Sequence, residues 1–188
     1  TDDLVTEWRY DTFGDLFQIV LPRGNVIEHA YDAAGRLVSV ERKADDQPST
    51  RGERVVYALN GFGQRTVEER QHWGETTGDG AQWVTDARTE SIYSTRCHVD
   101  RTIEGEGAQQ STTEYAYDCN GNLDRIWDAN HPNTGTNPPT TEYVYDALDR
   151  LVTVRQPWGG AGGGTLETSY DYDVQDHLVE IVDGEGTA

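Results

Sequence analysis

Methionine is absent from this chain of 188 residues, and cysteine is nearly so, Cys97 and Cys119 being the only two. A structural zinc site needs several ligands at short paired spacings, and none of the five histidines completes one. Two cysteines do not reveal a redox compartment either. Long apolar runs are missing. Nothing approaches the roughly 20 residues needed to span a bilayer, and no apolar N-terminal segment precedes a cleavage site. Helical periodicity is missing as well, since no i, i+3, i+4 apolar stripe persists beyond about ten residues. Positive charge is scarce: 15 Lys and Arg stand against 34 Asp and Glu, a formal net charge of −19. Such a surface repels phosphate backbones and anionic bilayers, which argues against nucleic acid as a partner and against direct membrane insertion.

What is present is glycine and aromatic residues, with 20 Gly, 10 Tyr and 5 Trp. A hydrophobic content of 35% and a mean hydropathy of −0.76 are low for a compact globule. Aromatics at regular spacing nevertheless argue against disorder and for many short strands joined by turns.

The regularity is a repeat. "YDAAGRLVSV" at 31–40 returns as "YDTFGDLFQI" at 10–19, "YDCNGNLDRI" at 117–126, "YDALDRLVTV" at 145–154 and "YDVQDHLVEI" at 172–181. Two further units depart from this pattern. "YALNGFGQR" at 57–65 carries two extra residues before its Asn60-x-x-Gly63 turn, and "YSTRCHVDRTI" at 93–103 has Ser94 for Asp and Cys97 for Gly. Seven units are therefore led by Tyr10, Tyr31, Tyr57, Tyr93, Tyr117, Tyr145 and Tyr172. Their spacings of 21, 26, 36, 24, 28 and 27 place the variation in the connecting loops. A supersecondary unit stacked many times is expected, and with it a single repeat region over 1–188. The chain opens inside a strand-like pattern and stops where another turn is due, so it is expected to be a piece of a longer protein.

Each unit reads as a β-hairpin. Trp8 and Tyr10, Val55 and Tyr57, Tyr115 and Tyr117, Tyr143 and Tyr145, Tyr170 and Tyr172 lie two apart, on one face of a strand. Arg9, Ala116, Val144 and Asp171 face the other way. The Asp after the tyrosine can accept from backbone N–H groups in an Asx-turn, and the Gly or Asp three residues later suits positive φ. Leu16, Leu37, Leu123, Leu151 or Leu178 then starts the return strand. Ile19, Val40, Ile126, Val154 and Ile181, three residues on, would face the opposite side of a regular strand. Either a bulge intervenes, or both faces are partly covered. "KADDQPSTRGE" (43–53), "HWGETTGDGAQW" (72–83), "DANHPNTGTNPPTT" (128–141) and "PWGGAGGGT" (157–165) read as loops.

The kernel YDxxGRL stands literally at Tyr31, Asp32, Gly35, Arg36 and Leu37, and is echoed at Tyr117, Asp118, Gly121 and Leu123 and at Tyr145, Asp146 and Leu151. In this the chain resembles the Rhs, or YD-repeat, family. The resemblance implies an all-β fold of antiparallel hairpins in one curved, twisted sheet, an arc of a hollow β-shell. Such shells occur in bacterial polymorphic toxins, C components of insecticidal toxin complexes and teneurin ectodomains. It implies a secreted or cell-surface structural segment that encloses or scaffolds a separate effector, the alternative being an adhesion module that binds glycans or proteins. The implied partners are the remaining YD repeats and an enclosed C-terminal effector domain.

Catalytic and cofactor constellations are not read here. The "GGAGGG" run at 159–164 lacks the Lys and helix of a phosphate loop, and GxSxG is absent. No segment resembles the acidic self-cleaving region of toxin-bearing relatives. Asp2–Asp3, Asp45–Asp46, Glu104–Glu106 and Asp183–Glu185 are carboxylate pairs in turn-rich contexts without a calcium-loop spacing. Cys97 and Cys119 occupy non-equivalent turn positions, which favours free thiols. Trp73, Trp83 and Trp158 are read as loop residues, able to stack on sugars or to staple a loop to its sheet. No enzyme, cofactor or metal site is expected.

Overall fold

In a computed structural model of the chain, residues 4–47, 49–76, 80–135, 137–157 and 164–184 are described. They form fourteen strands: β1 (Glu7–Tyr10), β2 (Leu16–Val20), β3 (Val26–Tyr31), β4 (Leu37–Lys43), β5 (Glu53–Leu59), β6 (Arg65–Thr76) and β7 (Gly80–Tyr93), then β8 (Val99–Glu104), β9 (Ser111–Tyr117), β10 (Leu123–Trp127), β11 (Thr141–Tyr145), β12 (Leu151–Pro157), β13 (Thr165–Tyr172) and β14 (Leu178–Asp183). They are ordered as in the sequence within one open antiparallel sheet. Among the described residues the helical element is a 3-10 turn at Gly107–Gln109. The fold is therefore all-β, built from the hairpins that the repeat implies. Six of the leading tyrosines end an odd-numbered strand, whereas β5 runs two residues past Tyr57 to Leu59, so that Asn60 takes the place of the turn Asp.

A bulge settles which face the return strand presents. In the first hairpin Trp8 lies opposite Ile19 and Arg9 opposite Gln18, after which the register shifts and Tyr10 meets Leu16. The same pairing recurs as Tyr115↔Ile126 with Tyr117↔Leu123, Tyr143↔Val154 with Tyr145↔Leu151, and Tyr170↔Ile181 with Tyr172↔Leu178. One extra residue on the return strand puts Leu and the Ile or Val three later on the same face. Both then line up against the aromatic stripe.

By contact density the chain divides into two compact units, Thr1–Ser91 with Glu104–Ala108, and Ile92–Ile103 with Gln109–Ala188. In the first, Val26 is the most buried apolar residue, 1% exposed, and polar Gln18 and Lys43 are buried beside it. Lys43 is the only lysine in the sequence. Its ammonium lies 2.6 Å from the Glu28 carboxylate, while Gln18 donates to Glu28 and Asp46. Burial of those groups requires such partners. Directly paired residues make a polar row, Arg9–Gln18–Glu28–Glu41–Arg54–Gln71–Thr85, on the face opposite the aromatic stripe.

In the second unit Trp127 is the buried anchor, its indole N–H donating to the Asn137 carbonyl at 3.3 Å. Its row opposite the stripe runs Ala116–Arg125–Glu142–Arg155–Glu167, of alternating sign after the alanine. Arg155 reaches Glu167 at 2.8 Å and Arg125 reaches Glu142 at 3.5 Å. Polar residues on this face keep each sheet face only partly apolar, which accounts for the low hydropathy.

One sequence reading is corrected. The "HWGETTGDGAQW" stretch is not a loop: residues 72–76 and 80–83 extend β6 and β7 into a long hairpin. Its Trp73 and Trp83 are paired strand residues, packed edge to face with ring centroids 5.4 Å apart, and Arg54 lies 3.9 Å over Trp83. Cross-strand aromatic and cation–π contacts hold strands together where the polar composition suggested a loop. Burial separates the two faces only in part. Tyr31 and Tyr172 are half-buried beside exposed Ala30 and Asp171, but Tyr10, on the first strand of the order, is more exposed than Arg9.

Candidate functional site

The densest specific chemistry lies in the hairpin turns. Asp11, Asp32, Asn60, Asp118, Asp146 and Asp173 each accept, through Oδ1, the N–H groups of the second and fourth residues onward, at 2.8 to 3.1 Å. Each forms a closed Asx-turn. Three residues after the Asx the chain needs positive φ, met by Gly14, Gly35 (φ 72°), Gly63 and Gly121. Cys97, Asp149 and Asp176 adopt the same conformation at φ 60–65° without being glycine, at a cost of roughly 1 kcal/mol each. In the fourth turn, Ser94 Oγ accepts one weaker bond, from the His98 N–H at 3.3 Å.

Arginine joins one turn to the next. Arg36 Nε donates to Asp32 at 2.8 Å, and its Nη1 donates to the Asn60 carbonyl at 3.0 Å. Arg150 repeats the arrangement, holding Asp146 at 2.8 Å, reaching the Asp173 carbonyl at 3.3 Å and pairing with Asp176 at 2.7 Å. Between these, Asn122 bonds both Asp118 and Asp149. The carboxyls of Asp32 and Asp146 are held below the ordinary carboxylate range, first by the arginine bond and then by the backbone N–H of the same residue. For Asp118, desolvation pushes upward, and the bonds from Asn122, Asn120 and Gly121 outweigh it. Asp173 is lowered chiefly by the His177 N–H.

The tyrosine hydroxyls make a second link, which was not read from sequence. Tyr31 donates to the Leu16 carbonyl at 2.9 Å, Tyr117 to Val99 at 3.0 Å, Tyr145 to Leu123 at 3.0 Å and Tyr172 to Leu151 at 2.9 Å. Each acceptor opens the return strand of the preceding hairpin. Between β2 and β3 the backbone ladder stops at Gln18↔Glu28, so the hydroxyl carries the pairing past its last rung. Leu37 sits across the bulge from Tyr31. A signal for this link exists in the composition: every unit is led by tyrosine and none by phenylalanine. Burial raises the pKa of Tyr31, Tyr117 and Tyr145, which keeps the donor proton in place.

Elsewhere, several charged groups near two surface grooves are engaged by one another, while His29 Nδ1 and Glu41 Oε1 are buried without a hydrogen-bond partner. A groove of about 380 Å³ in the first unit is lined by Glu68, Arg70, Asp86, Arg88 and Glu104, and Arg88 is tied to Glu69 and Glu90. A second, of about 340 Å³ in the other unit, holds His98 stacked on Tyr117 at 4.6 Å. Asp46 is engaged by Arg9 and Gln18, and Asp183 accepts from Thr168. Among the described residues, no three His, Cys, Asp or Glu side chains converge as metal ligands, and Cys97 and Cys119 are exposed and not joined by a disulfide. Asp2, Asp3, Trp158, Glu185 and all but the last glycine of the 159–164 run lie outside the described residues.

The RHS Repeat family model matches residues 10–47, from the end of β1 through β4 and into the loop beyond. No curated protein matches the chain. Similar solved structures include a crystal structure of TcdB2-TccC3-TEV (16% identity, TM-score 0.38) and a Photorhabdus luminescens Tc holotoxin pore with a mutated TccC3 (16%, 0.39). Each alignment covers 95% of this chain and 11% of that chain. Residues 10–47 thus match the RHS Repeat model, and the likeness to the Rhs, or YD-repeat, family carried by the tyrosine-led motif is shown.

Proposed function

We propose that the chain is a structural segment of a YD-repeat shell that encloses or scaffolds a separate effector domain of a large secreted protein, and that it is not an enzyme. One observation carries this reading: the motif's chemistry is spent on neighbouring repeats. Tyrosine hydroxyls bond the preceding hairpin, and the Arg36 and Arg150 guanidiniums bond the following turn. A wall built this way is rigid along its repeat direction without needing a thick core. The face opposite the aromatic stripe is lined by polar and charged residues, of alternating sign in the second unit, and suits loose contact with an enclosed chain more than tight capture. The motif at Tyr31, Asp32, Gly35, Arg36 and Leu37, with its copies at Tyr117, Asp118, Gly121 and Leu123 and at Tyr145, Asp146 and Leu151, is on this reading a stacking device.

Limited proteolysis tests the reading. The longer parent polypeptide, compared with a version lacking this segment, is expected to shield its effector domain markedly better. Equal protection in both, or turnover of any substrate by the isolated chain, would count against a shell.

A further inference from the structure

Within each of the two compact units, successive turns meet through the same two positions. The residue three after the Asx, or after Ser94, has the positive φ, and its Cβ direction leads to the residue four after the Asx of the preceding turn. A Cβ built on Gly35 would lie 3.7 Å from Asp15 Oδ2, one on Gly63 3.7 Å from Arg36 Cδ, and one on Gly121 3.2 Å from His98 Cε1. In the sixth and seventh turns aspartate stands in place of glycine, and its carboxylate fills that direction. Asp149 Oδ1 accepts from Asn122 at 2.8 Å and from Asn120 at 2.7 Å, and Asp176 Oδ1 accepts from Arg150 at 2.7 Å. Asp15, Arg36, His98, Asn122 and Arg150 each hold the fourth position of the turn before.

Residue types match across this contact. Asp149 and Asp176 follow turns whose fourth residue carries N–H donors. Gly35 follows Asp15, an acceptor that a second carboxylate would repel. Asp149 and Asp176 sit at φ 60° and 65°, a conformation that glycine adopts without strain. The bonds to their carboxylates come from the preceding turn, which supplies a reason for aspartate at those two places.

We propose that the third and fourth turn positions form a recognition code between successive repeats, with Asp149 and Asp176 as the residues that read a donor in the turn before. The surface they fit is a hairpin turn that ends in asparagine or arginine, and a turn that ends in a carboxylate is refused. Gly63 faces the donor Arg36 with no carboxylate to offer, and Arg36 bonds the Asn60 carbonyl instead. The inference rests on the stacking role proposed for the motif and not on what a shell encloses.

Urea unfolding of the whole chain tests the code with one substitution at two sites. Gly63→Asp and Gly35→Asp impose the same positive-φ strain, but the first places a carboxylate against Arg36 and the second places one against Asp15. Gly63→Asp is expected to leave the folding equilibrium constant about fivefold higher than Gly35→Asp does, and Arg36→Ala should remove its share of that difference. A second measurement needs neither glycine variant. Asp149→Gly relieves strain and loses two bonds, so it should lower the urea midpoint of the wild-type chain. Once Asn120→Ala and Asn122→Ala have removed the donors, the same change should raise the midpoint. Equal losses at Gly63 and Gly35 would overturn the code, as would an Asp149→Gly effect that keeps its sign without the asparagines. Either result would leave the enclosure reading standing, since that is decided by protection of the effector in the parent polypeptide.

Discussion

A single hydroxyl separates tyrosine from phenylalanine, and at the lead position it decides whether one hairpin is bonded to the last. Tyr145→Phe and Tyr172→Phe keep the ring and lose the bond to Leu123 or Leu151. Each is expected to lower stability by about 1 kcal/mol in urea unfolding, with Tyr10→Phe near zero as the control. Gly35→Val should cost more than Asp32→Ala, because a β-branched residue at φ 72° is strained whatever space surrounds it. The same residues set the pH limits. Asp32, Asp118, Asp146 and Asp173 have folded pKa values below the unfolded 3.8, so their contribution is present above that pH and is lost as pH falls through the lowered values. Tyr31, Tyr117 and Tyr145 are raised above 10.0, so theirs is complete below pH 10 and is lost as pH climbs beyond it. The urea midpoint is expected to form a plateau that drops on both sides.

At the scale of the element, the hairpin is a local object, and for that reason it was legible. Turn Asp, positive-φ residue and strand alternation lie within a dozen residues of one another. The face of the return strand was not decidable from spacing, because a bulge adds a residue to one strand with no sequence mark of its own. The β6–β7 extension was misread since Gly74, Thr76 and Gly80 have loop chemistry, while Trp73 and Trp83 supply the pairing only once the strands are folded back. Between hairpins the charges work pairwise. Glu142 lies between Arg125 and Arg155. Glu142→Lys sets like charges on both sides and should cost about 0.5–1 kcal/mol, recovered in part by Arg155→Glu in a double-mutant cycle.

Across the whole molecule, stability should follow position in the strand order. Hydrogen exchange is expected to be fastest in β1 and β14, whose ladders are one-sided among the described residues, and slowest around β3 and β4, beside Val26 and Lys43. Lys43 offers a sensitive gauge of intactness. As the sole lysine, with its ammonium held on Glu28, it should resist an amine-reactive reagent in the folded chain and label readily in denaturant. Rapid labelling of the native protein, read by mass spectrometry of the Lys43 peptide, would show that the buried pair does not form.

Sequence alone determined the all-β class, the tyrosine-led hairpins with an Asx-turn in six of them, and the RHS likeness, because each is written in short-range spacing that repeats. Tertiary structure decided the remainder: the bulge that aligns Leu with Ile or Val, the hydroxyl and guanidinium links from one repeat to its neighbour, and the burial of Lys43. Those depend on which carbonyls a ladder leaves unpaired and which carboxylates the next strand brings within reach. Such partners lie 15 to 24 residues apart in sequence, and only strand pairing sets the distance between them.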